Sequence, residues 1–214
     1  MTRIFPLLMT LASALPGTVV IDRIAVIVGK HAIKSSDIQR DLRLTEFMNH
    51  EPVKLSPDEM RKSAERLIDQ LMIRDEIAQG GYRRPNDADA DNLLNHLVRD
   101  RFGGSDSRLR GDLSRYGITV DGLQQQFLWQ LTVLRFIDQR FRPGVQVTGD
   151  DVRTYYDLHL AELKRQYPRS NSFDALQKQL RDSLEGERVN QAFAAWLADA
   201  RRQVRIEYRE GAFR

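Results

Sequence analysis

Four histidines, His31, His50, His96 and His159, are the first residues to weigh as metal ligands or acid–base groups. They lie far apart in the chain, and none has a second histidine three or four residues away on one helix face, so the usual spacing of a zinc site is missing. Asp87, Asp89 and Asp91 imitate the opening of a calcium loop. However, Asn92 stands where such a loop needs its sharp-turn glycine and Val98 where it needs a bidentate glutamate. An acidic first helical turn accounts for the three aspartates better, because carboxylates there oppose the helix dipole. Cysteine is absent, which excludes a thiol nucleophile, a disulfide framework and a thiolate metal centre. No glycine-rich phosphate loop and no nucleophile elbow occurs, and Gly103-Gly104 reads as a helix stop. The expectation is a chain with no catalytic residues, no metal and no cofactor.

The remaining constellation is apolar and aromatic. Leu123, Phe127, Leu131, Leu134 and Phe141 form one stripe of a predicted helix, and Trp129, Val133 and Phe136 form another. A helix apolar on two faces should be central and largely buried. Tyr155 and Tyr156 sit side by side further on. Core packing is the ordinary fate of such residues. The alternative is a groove in which aromatic side chains grip an extended polypeptide behind a polar rim. On that reading Trp129, Phe136, Tyr155 and Tyr156 are the expected contacts.

The elements that must position them can be read from spacing and punctuation. Val19 to Val28 is dense in Val and Ile and reads as a strand; Gly29-Lys30-His31 turns it, and Ala32-Ile33 returns. Ser36 with Gln39 has the form of a capping box, opening a helix to about Asn49. Ser56, Pro57 and Glu59 mark the clearest helix start in the chain, followed by the stripe Met60, Ala64, Leu67, Leu71 and Ala78 and a stop at Gly80-Gly81. Further helices are predicted from Asn86 or Asp87 to Phe102, from about Asp106 to Tyr116, from Thr119 to the Pro143 stop, and from Thr148 to before Pro168. Asn171-Ser172 opens the last one, Phe173 to about Gln203, which at helical rise reaches roughly 46 Å. Its apolar stripe slips phase across Gly186, which suggests a bend or a close helix crossing there. Val204 to Tyr208 alternates and is expected to pair with the first strand, joining the chain's ends.

Charge and hydropathy narrow the partners. The 33 basic and 30 acidic residues of the 214 nearly balance at a formal net charge of +3 and are interspersed, without the one-sign stripe that nucleic acid requires. Arg3, the apolar run Ile4 to Leu11 and Ala12-Ser13-Ala14 read as a short signal peptide over residues 1–14. The run is far shorter than the about 20 residues a membrane span needs.

Taken in order, several segments resemble the N-terminal region of SurA-type periplasmic chaperones. They are Val20 to Val28 with Ser35-Ser36-Asp37-Ile38, Leu67-Ile68-Asp69-Gln70-Leu71 with Ala78-Gln79-Gly80-Gly81, Arg101-Phe102-Gly103-Gly104, Tyr116-Gly117-Ile118-Thr119, and Val147 to Tyr156. Phe173 to Leu176, Ala195-Trp196-Leu197 and Arg205 to Tyr208 resemble that family's C-terminal helix and strand. The resemblance implies a mainly α chaperone core over 19–214, its tail 168–214 packing back on the helical region 19–167, with a small sheet of N- and C-terminal strands. It also implies export to the periplasm and ATP-independent binding of unfolded exported or outer-membrane polypeptides, with no stable membrane span. An envelope adaptor that binds one folded partner is the alternative. One departure stands out: the family carries parvulin-type isomerase domains before its final helix, and His159 to Ser172 is too short to hold one. Prolyl isomerase activity is therefore expected to be missing.

Overall fold

The structure, a computed structural model, describes residues 22–213. The expected signal peptide and the first residues of the expected strand, Val19 to Ile21, lie outside the described residues. Within them the order is β1 (Ile24–Val28), β2 (His31–Lys34), α1 (Ser35–Asn49), α2 (Pro57–Gly80), α3 (Asp87–Phe102), α4 (Asp106–Tyr116), α5 (Val120–Phe141), α6 (Gly149–Gln166), α7 (Phe173–Arg202) and β3 (Ile206–Tyr208). The fold is mainly α with one small antiparallel sheet, as the sequence predicts.

Helix starts follow the side chains that can satisfy free N–H groups. Ser56 Oγ accepts from Glu59 N, Thr119 Oγ1 from Gly122 N and Ser172 Oγ from Ala175 N. At α6 the box is reciprocal: Asp151 N donates to Thr148 Oγ1, and Asp151 Oδ2 accepts from Thr148 N at 2.8 Å. The expected box at Ser36 and Gln39 is not the one formed. Helix α1 begins two residues earlier, with Lys34 N donating to Asp37 Oδ2, and Ser36 instead binds back to Asp22 through its hydroxyl and its backbone N–H. The motif failed here because Asp37 was the stronger acceptor one residue away. At the end of α2, Gly81 takes the left-handed conformation (φ 64°), while a Cβ on Gly80 would strike the Tyr82 ring. The pair therefore ends the helix and folds Tyr82 back over it.

The sheet has the order β2-β1-β3. Val26, Ile27 and Val28 pair with Tyr208, Glu207 and Ile206, so the C-terminal strand lies against the first one. Gly29, at φ 56°, makes the β1–β2 turn and donates its N–H to Arg205 O at 2.9 Å. Arg201 then ties α7 to α2, ion-paired with Glu65 and with Asp69 at 2.8 Å, and Tyr208 Oη donates to the same Glu65. Burial and the Glu65 carboxylate push the Tyr208 hydroxyl up to about 12, so it stays a donor at any physiological pH.

Helix α5 is central but not largely buried. Its buried side chains are Leu123, Phe127 and Phe136, whereas Leu134 is 62% exposed. Leu123 and Phe127 pack with Phe47, Val98, Phe102, Leu109 and Leu113. Phe136 packs with Ile73 and Ile77 of α2 and, edge to face, with Tyr82, Phe141 and Trp196, with ring centroids 5.0–5.7 Å apart.

The phase slip in α7 has a different cause from the one expected. The helix runs unbroken through Gly186, and a Cβ there would meet nothing within 4 Å, so among the described residues no helix crosses it closely. Instead α7 changes partner. Leu176, Leu180 and Leu184 face α6 in a separate apolar cluster with Val147, Val152 and Leu163. Phe193, Trp196 and Leu197 face α2 and α5, and Ala200 faces the sheet side. Replacing Gly186 with Ala should therefore leave helicity unchanged and stabilise the protein by up to about 1 kcal/mol, since helix propensity is the only local contribution that changes. Urea unfolding followed by circular dichroism checks this.

Candidate functional site

A concavity is built where α1 and α2 diverge from the start of α5. Asp37, Arg40, Asp41 and Leu44 come from α1, Leu67, Gln70, Leu71 and Arg74 from α2, and Ala32 and Ile33 from β2. The α4–α5 turn and α5 supply Gly117, Ile118, Thr119, Gln125, Gln126 and Trp129. Its volume is about 590 Å³, within the range of small-ligand pockets. A second depression of about 490 Å³ lies further along, between Ile77 and Ala78 of α2, Arg84, Pro85 and Asp87, and Leu128 and Thr132 of α5. The two share Arg74, Gln125 and Trp129 and so run into one another at these three side chains.

The wall between α1 and α2 is fixed by a buried carboxylate. Asp41 Oδ2 accepts from Ser63 Oγ at 2.7 Å and from Arg66 Nε and Nη2 at 3.0 and 2.7 Å. Ser63 and Asp41 are both buried, so this contact sets the spacing of the two helices where the groove begins. At the other end the Arg74 guanidinium lies over the Trp129 ring, 4.0 Å from its centroid. Such stacking contributes about 0.5–2 kcal/mol. Arg74 remains open to solvent overall, and partial burial of its guanidinium lowers its pKa from the ordinary arginine value without threatening its charge. Among the described residues it makes no ion pair and no hydrogen bond.

The sheet adds a polar feature to the same groove. Val28 and His31 face each other across the two-residue turn. In that geometry the closing pair exchanges its hydrogen bonds, so the next residue, Ala32, directs its N–H and C=O away from β1. Among the described residues no strand lies beyond β2, and Ala32 is exposed.

Of the four aromatic residues predicted as contacts, only Trp129 lines this groove. Phe136 is 1% exposed and belongs to the seam between α2, α5 and α7, so in this conformation it supports the groove from behind rather than touching a ligand. Tyr155 and Tyr156 lie on the α6–α7 hairpin. Tyr155 stacks on His159, with centroids 4.3 Å apart, and Tyr156 Oη donates to Asn171 O at 2.7 Å. The four residues thus belong to two separate clusters and do not form one surface. Reasoning from sequence missed Leu67, Leu71, Ile118 and Arg74. A signal for Arg74 was present: the stripe Leu67, Leu71, Ala78 skips one turn, and Arg74 occupies it.

The described residues contain no group of three or more His, Asp or Glu side chains able to hold a metal, and no helix among them is long and apolar enough to cross a membrane. No family model matches the chain. Over 148 residues, 66% of its length, the chain is 30% identical to the chaperone SurA of Chromobacterium violaceum. The match covers 34% of that protein, so the chain spans about a third of the length of this curated relative. The similarity supports a distant SurA-like relationship.

Replacing Asp41 with Ala should destabilise the protein by roughly 1–2 kcal/mol, because Arg66 loses its carboxylate acceptor at a half-exposed position while the buried Ser63 hydroxyl keeps Ile38 O, 2.9 Å away, as an acceptor. Chemical denaturation of the variant beside a Ser63→Ala control measures it.

Proposed function

We propose that this chain is an ATP-independent chaperone that holds unfolded exported or outer-membrane polypeptides in extended form. The single observation carrying the proposal is the groove itself. Leu44, Leu67, Leu71, Ile118 and Trp129 give it apolar walls, Gln70, Gln125 and Gln126 a polar rim, and Ala32 a free edge of backbone. An extended segment needs apolar cover for alternate side chains and hydrogen-bond partners for its main chain, and this surface offers both. The similarity to a curated chaperone SurA supports the same reading.

Binding here requires no nucleotide and no bond chemistry. Apolar client surface is withdrawn from water at roughly 25 cal/mol per Å², which is enough to slow aggregation while leaving each segment free to dissociate. Of the aromatic residues, Trp129 is the proposed contact. The α6–α7 hairpin carries Tyr155 and Tyr156 and the 77%-exposed Leu158, and forms a second, subsidiary surface for long clients. A parvulin-type isomerase domain has no room in the short connection Tyr167–Ser172 between α6 and α7, so the proposed activity is holding alone. Export to the periplasm follows from the same reading.

An equimolar amount of the protein should suppress light scattering when a urea-denatured porin is diluted into buffer, and should do the same for unrelated unfolded chains. No suppression at several-fold excess would contradict the proposal, and suppression confined to one client would favour an adaptor.

A further inference from the structure

Resting on the holdase reading, we infer that the groove selects extended segments carrying an acidic side chain among apolar ones, and that Arg74 is the residue that receives it. The first observation is charge. Arg74 alone joins the two depressions as a cation, and it has no carboxylate partner among the described residues. Of the three acids that line the groove, Asp41 is engaged by Ser63 and Arg66 and Asp37 by the Lys34 backbone and, at 3.7 Å, by Arg40, while Asp121 sits in the first turn of α5, where its charge opposes the helix dipole, and has no ion pair with Arg74.

Geometry supplies the second observation. Trp129 holds one face of the guanidinium, which leaves its N–H edge to donate in plane, the arrangement that a carboxylate accepts through two parallel bonds. Gln125, common to both depressions, adds a side-chain amide beside it. Because the concavity continues past Arg74 in both directions, a chain lying in it passes the guanidinium instead of ending there. This assigns the carboxylate to a side chain and not to a chain terminus. On the far side Arg84 adds positive charge at the rim, balanced there by Asp87.

The test uses a pair of dye-labelled, C-terminally amidated peptides of alternating Val and Tyr, one with a central Glu and one with Gln in its place. Fluorescence anisotropy against the full chain should show the Glu peptide binding about tenfold more tightly, the effect expected of one charge-assisted bidentate contact. Arg74→Gln should erase that difference by weakening only the Glu peptide, and Arg74→Lys should restore part of it. Equal affinity of the two peptides for the unaltered protein would overturn the inference, whether or not any Arg74 variant folds. So would a Glu preference that survives in a folded Arg74→Gln variant, or a Gln peptide with a free C-terminus that binds as tightly as the amidated Glu peptide. If aggregation is suppressed while the peptides bind equally, only this inference falls. If neither peptide binds and aggregation proceeds, the holdase reading falls with it.

Discussion

The seating of the second half of α7 on α2 and α5 is the contact on which the remaining architecture depends. Phe193 and Trp196 bring two rings from the chain's end to Phe136 and Phe141, and Arg140 covers Trp196 and Phe141 at 5.3 and 5.5 Å while paired with Glu76. Phe136 is fully buried, which contributes roughly 1.5–3 kcal/mol, and the partly buried Phe141, Phe193 and Trp196 each add a share of that, whereas a backbone hydrogen bond in the three-residue strand β3 contributes about 0.5–1.5 kcal/mol net. The aromatic seam therefore holds α7 in place, and the β1–β3 pairing sets the register in which it is held. Because α2 and α5 both rest on this seam, the groove between their other faces inherits its width from it.

That arrangement explains how a small protein can keep an apolar concavity open. Helices α1 and α2 are fixed to each other by the Asp41 contacts, α2 and α5 by Phe136 from behind, and the sheet by its own ladder. No part of the groove's wall needs the ligand in order to stay apart. Preformed apolar surface of this kind avoids much of the ordering cost of binding, which suits weak and repeated capture of unfolded chains. The α6–α7 hairpin, with a core of its own, adds reach without disturbing this frame.

Much of the fold could be read from the residues because helix punctuation is local. Ser56-Pro57, Thr119, Thr148 and the Gly80-Gly81 and Gly103-Gly104 stops act within a turn of themselves, and the structure places helix ends at each of them. The alternation of Val204 to Tyr208 likewise foretold its pairing with β1. What could not be read depends on which partner an element meets. The slip across Gly186 is a change of neighbour, and Leu134 is exposed because none of the described residues packs over that side of α5. The proposed contact residues were the least legible. Phe136 and Trp129 share one stripe of α5, two turns apart, yet one closes the core and the other faces the groove, a distinction set by Tyr82 and Trp196 from distant segments. Arg74 went unnoticed because a lone cation in an apolar stripe gains meaning only when Trp129 is seen beneath it.

The central claim is that an extended unfolded chain lies between α1, α2 and the start of α5. Hydrogen–deuterium exchange with and without an acid-unfolded outer-membrane β-barrel protein tests it most directly. The account predicts slowed exchange in β2, in α2 around Leu67 to Arg74 and in the first turns of α5. Protection confined to the α6–α7 hairpin, or none anywhere at saturating client, would contradict it.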